Sequence, residues 1–210
     1  MIKHQSLENQ IAHEITSGLT TQGTRDLIVL RYMAQKVCEV LQSREDPFST
    51  SLPLLYSLDV RHHRRQRIIL YDPEVMLQNT TFSFVGFVSG KQKTVDPSID
   101  NEMQRVDTLL TKELVAAPGL LCYSSLELRT GKWYNLVLLA NFNIKTHLRN
   151  SPTHCYGAYQ LAARYYEWIR LHSGIITDGF GRTILHLQKT KYYTCQAPEP
   201  RFIVRELTYV

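Results

Sequence analysis

The chain has 210 residues, 43% of them hydrophobic and 20% charged, with a formal net charge of +5 at pH 7, the profile of a soluble globular protein with a sizeable core. Its longest uncharged apolar stretches, such as Trp133 to Phe142, fall well short of the roughly 20 residues that cross a bilayer, so no membrane partner is expected. The first ten residues lack the apolar run of a secretory signal, and the four cysteines, Cys38, Cys122, Cys155 and Cys195, form no Cys-x-x-Cys pair. A cytoplasmic protein with idle thiols is the expectation, without a disulfide framework or a zinc knuckle.

Leu7–Thr16 and Arg25–Ser43 read as helices, and in the second Leu27, Leu30, Ala34, Val37, Val40 and Leu41 recur at steps of three and four. That face must pack on something. The polar segment 44–51, which contains Pro47, is a loop. Leu54–Val60 and Arg67–Tyr71 are strand candidates, with the basic run Arg61-His62-His63-Arg64-Arg65-Gln66-Arg67 at the tip of their hairpin. Such a run attracts phosphate backbones, but no stacking platform for bases stands beside it, so nucleic acid is disfavoured as a partner. Breaks at Asp72-Pro73 and Gln78-Asn79-Thr80 place a soft boundary near residue 80. They divide the chain into an N-terminal helical and hairpin extension (1–80) and a main domain (81–210).

Phe82–Ser89 reads as a strand. A helix follows, with Asp96 as N-cap, Pro97 at its first position and an apolar stripe from Ile99 to Leu114, and Pro118-Gly119 stops it. Leu120–Arg129 and Lys132–Phe142 form a hairpin about Thr130-Gly131. Ile144–Arg149 reads as a short helical turn. A long helix then starts at Ser151-Pro152, with His154, Ala158, Leu161, Tyr165, Trp168 and His172 on one face, and Gly174 ends it. Asp178-Gly179 turns the chain into a last strand, Arg182–Lys189. The order is β-α-β-β-α-β, an α+β class of ferredoxin-like topology.

These residues also resemble the antibiotic biosynthesis monooxygenase-like family of the dimeric α+β barrels. The likeness rests on Pro118-Gly119 before the strand Leu120-Leu-Cys-Tyr-Ser124, on Phe142 closing a strand that begins at Trp133, and on the Ser151-Pro-Thr-His154 helix start. It covers about residues 82–195. The resemblance implies a homodimer in which two sheets pack face to face as a barrel, burying the sheet face that the two helices leave open. The N-terminal 80 residues are the alternative cover for that face.

The resemblance also implies a cofactor-independent, monooxygenase-like enzyme acting on a small aromatic or apolar substrate, in an apolar cavity with a few hydrogen-bonding groups. His154 and Asn135 are the candidate catalytic residues, and Tyr123, Trp133, Phe142 and Trp168 the candidate substrate-binding residues. Each has a plainer role: a histidine at a helix start is commonly a capping or surface residue, and the aromatics serve equally as core. The alternative is a non-enzymatic dimer that binds a small apolar or aromatic ligand or a partner protein through its aromatic helix. The resemblance to the heme-degrading relatives fits less well, because those proteins use an Asn on the first strand and a His on the second long helix, whereas Phe82–Ser89 here lacks an Asn and Ala158-Tyr159 stand at the helix position. No cofactor is implied. The histidine spacings form no helical chelate, so no metal ligands are assigned.

Overall fold

A computed structural model describes residues 2–43, 52–60, 64–115, 117–129, 131–141, 143–144, 150–179, 183–196 and 201–209. These residues build one antiparallel sheet of eight strands: β1 (Leu54–Val60), β2 (Arg64–Leu70), β3 (Phe82–Lys91), β4 (Leu120–Arg129), β5 (Lys132–Leu139), β6 (Tyr166–Thr177), β7 (Ile184–Gln196) and β8 (Arg201–Thr208). Their order across the sheet is β1-β2-β4-β5-β3-β6-β7-β8. Helix α1 (Ile2–Gln42) crosses one face, and the short α2 (Pro73–Gln78) links β2 to β3. The other face carries α3 (Pro97–Leu114) and a helical stretch made of α4 (Pro152–Tyr156), a π-helical turn (Gly157–Leu161) and α5 (Ala162–Tyr165).

Local chemistry accounts for most of these boundaries. Leu30, Met33, Ala34, Val37 and Leu41 put one stripe of α1 against the sheet, each nearly or wholly buried, and each large side chain so buried contributes about 1.5–3 kcal/mol. At α3 the Asp96 carboxylate accepts from the Ser98 amide at 2.8 Å and Pro97 sets the first turn. Gly119 follows at φ +76°, a left-handed conformation that glycine adopts without strain, and so turns the chain into β4. Asp72 caps α2 by accepting from the Val75 amide at 3.0 Å, and Ser151 caps α4 by accepting from the His154 amide at 3.1 Å.

Several expectations are corrected. The fold is not a ferredoxin-like β-α-β-β-α-β unit in a dimeric barrel; it is a single eight-stranded sheet, and α1 of the same chain lies over the face that a second protomer was expected to cover. That removes the reason for which a homodimer was inferred. Second, the long helix from Ser151 ends at Tyr165. Residues 166–177 form β6, paired with β3 on one side and β7 on the other. Third, Arg182–Lys189 is not the last strand: β7 runs from Ile184 to Gln196 and returns as β8. The two N-terminal helices are one, and β1 and β2 extend the sheet beside β4, so the sheet runs across residue 80. Phe142 and residues 145–149 lie outside the described residues. No helix among the described residues is long and apolar enough to cross a membrane.

Candidate functional site

The two faces of the sheet differ in chemistry. The face under α1 is apolar apart from Gln66 and Ser124, which hydrogen-bond each other at 2.9 Å, and one charged cluster. Asp26, 1% exposed, accepts at Oδ1 from the Tyr134 hydroxyl (3.2 Å) and Arg170 Nη2 (3.0 Å), and at Oδ2 from Arg170 Nε and His172 Nε2 (3.1 Å). With Nε2 donating, His172 Nδ1 accepts from the Thr190 hydroxyl at 2.9 Å, whose oxygen in turn accepts from Tyr209 at 3.2 Å. Burial opposes ionisation of Asp26, yet the hydrogen bonds from His172 and Arg170 and the charge of Arg170 prevail and hold its carboxyl below its usual range. The Thr–His–Asp order has the composition of a nucleophile relay. Thr190 and His172 are both wholly buried beneath α1, however, and the cluster fastens that helix to the sheet.

On the α3 face the cross-strand register places Arg67, Ser125, Asn135, Phe87 and Leu171 in one row over β2, β4, β5, β3 and β6. Tyr123 lies diagonal to this row and donates its hydroxyl proton to Asn135 Oδ1 at 3.2 Å. The Arg67 guanidinium sits 5.4 Å from the centroid of the Tyr123 ring and pairs with Asp107 of α3 through Nη2 at 3.3 Å. Phe87 meets the edge of Tyr166 at 5.6 Å, and Tyr166 meets Tyr165 at 4.7 Å. Burial, aided by the Asp107 charge, pushes the Tyr123 hydroxyl well above its ordinary pKa, so at neutral pH it is a hydrogen-bond donor and not a phenolate base. Burial also pushes Tyr71 up to about 12. Among the described residues the Tyr71 hydroxyl, on a side chain 9% exposed, and Arg67 Nε are buried without a hydrogen-bond partner.

The structure thus brings Tyr123 and Asn135 together in the middle of a sheet face. Trp133 stands two residues before Asn135 on the same side of β5 and is 37% exposed, at the rim. Trp168 is on the opposite face, its ring against Gly90 and stacked by Arg170 at 4.0 Å. His154 belongs to the first turn of α4, in the helical layer that packs on α3. Phe142 is outside the described residues. Arg67, Asp107 and Tyr71 escape sequence reasoning, because a basic run reads as a solvated hairpin tip and gives no sign that its last arginine meets Tyr123 and Asp107. No group of three or more His, Cys, Asp or Glu side chains among the described residues is placed to hold a metal ion.

No family model, curated protein or solved structure matches this chain. The comparisons therefore bear on the family resemblance in neither direction, and the reading of function rests on the α3 face itself.

Proposed function

We propose that this chain is a small-molecule-binding protein whose ligand, apolar or aromatic in its main body, lies on the α3 face against Tyr123, Asn135 and Phe87. The observation that carries the reading is on the α3 face, where half-buried Tyr123 and Asn135 sit beside a Tyr71 hydroxyl that is buried and unanswered. A buried hydroxyl without a partner forfeits about 1–3 kcal/mol, which a ligand acceptor would restore. Binding is favoured over catalysis because Asn135 meets a protonated Tyr123, with His154 on a different element. The buried free thiols Cys38 and Cys122 support a reducing compartment such as the cytoplasm.

Titration with the neutral aromatic 2-naphthamide tests the reading by calorimetry. Saturable binding is expected, weakened about three- to tenfold by Asn135→Leu, as loss of one or two hydrogen bonds requires, and unchanged by Trp168→Phe on the other face. Absence of saturable binding, or equal sensitivity to both substitutions, would overturn it.

A further inference from the structure

The chemistry around Tyr123 is biased towards donors. Asn135 uses its carbonyl oxygen on Tyr123, so its amide is left with N–H groups to offer. Arg67 Nε is buried and unpartnered, and so is the Tyr71 hydroxyl. The one anion that answers Arg67 here is Asp107, which does so through Nη2 alone at 3.3 Å, from a side chain that is 52% exposed. A guanidinium presents Nε and Nη2 as a fork suited to both oxygens of one carboxylate, and half of this fork is unused. Tyr71, Tyr123, Arg67 and Asp107 are also close enough for the charges of Arg67 and Asp107 to be felt at both phenols.

We propose, building on the binding role above, that the ligand is an aromatic carboxylic acid: its carboxylate takes the Nε–Nη2 edge of Arg67, its ring lies along Phe87 and Tyr123, and it displaces Asp107. Asp107 is then a resident anion that keeps the Arg67 charge compensated while the site is empty. Its exposure makes the exchange cheap, since a released Asp107 carboxylate returns to water on the outer side of α3. Tyr71 supplies a further donor to the incoming group.

Calorimetric titration of the full chain with 2-naphthoate and 2-naphthamide, which share a ring and differ in charge, separates this proposal from the reading beneath it. Naphthoate is expected to bind about tenfold tighter, the usual margin of a charge-assisted pair over a neutral one. Asp107→Asn should tighten naphthoate several-fold and leave naphthamide unchanged. Arg67→Lys, which keeps the charge without the fork, should remove most of the preference, and thermal melts of each variant show that the fold is retained. Equal binding of the two probes overturns the carboxylate assignment and leaves the binding reading standing. No binding of either overturns both, and an Asp107→Asn variant with unchanged naphthoate affinity overturns the displacement.

Discussion

At the scale of single residues, the most consequential side chain is Asp26. It interrupts the apolar stripe of α1 one turn before Leu30, and a charge on a buried face is a signal that the sequence does carry. Its partners Arg170 and His172 are far away in the chain, and when residues 151–172 are read as a helix nothing points them at α1. Asp26→Asn is expected to lower stability by about 3–5 kcal/mol, because Arg170 is left buried beside a neutral group; urea denaturation measures it. The folded-state pKa of Asp26 is depressed, so its contribution is fully present above the unfolded carboxylate value near 4 and fades as pH falls through the lower folded value. Wild type should therefore lose stability below about pH 4 more steeply than Asp26→Asn does. The Cys38 thiol, pushed up to about 11 by burial, should resist iodoacetamide at pH 8 until the chain is unfolded. Tyr123 and Asn135 were candidates only through what the family resemblance implies, and their pairing across β4 and β5 depends on register.

At the scale of elements, β6 shows where periodicity fails. Tyr165, Trp168 and His172 satisfy helical steps of three and four, while Trp168, Arg170, His172, Gly174 and Ile176 equally satisfy a period of two. Pairing with β3 and β7 along the whole of β6 decides for the strand, since it satisfies the backbone while burying Ile169, His172 and Ile176. Glycine positions record how close this packing is. A Cβ at Gly86 would collide with the flexible end of Leu30 of α1, so Gly86→Ala should cost about 1–3 kcal/mol as the helix gives way. A Cβ at Gly174 would instead strike the backbone carbonyl of His186 on β7, which cannot move without breaking the ladder. Gly174→Ala should be the more damaging of the two, read as the larger fall in urea midpoint. The caps and hairpin signals at Asp96-Pro97, Pro118-Gly119 and Ser151-Pro152 work over one turn of chain, and the structure places the element starts or turns there.

At the scale of the whole molecule, α1 and the β1–β2 hairpin cannot be set apart from the strands that follow. α1 supplies the inner wall for β4, β5 and β7, and β2 pairs with β4. A chain truncated to residues 81–210 would expose the Phe84, Leu126, Leu136 and Leu138 face to water, so it is expected to be insoluble or molten, by near-ultraviolet circular dichroism and gel filtration, whereas the full chain unfolds in one transition. The break near residue 80 is the link from α2 to β3 inside one sheet and not a domain border, a distinction that local composition does not make. What the sequence determined by itself is local: the capped start of α3, the β4–β5 hairpin, the apolar stripe of α1 and the presence of strands on both sides of residue 80. These follow from hydrogen-bonding and steric preferences that act within a few residues. The tertiary structure alone decided that 166–177 is a strand, that α1 covers the face assigned to a second protomer, and that Arg67 meets Tyr123 and Asp107 over Asn135. Those outcomes are set by which surfaces, distant in the chain, bury one another and satisfy one another's polar groups, and no local pattern contains that information.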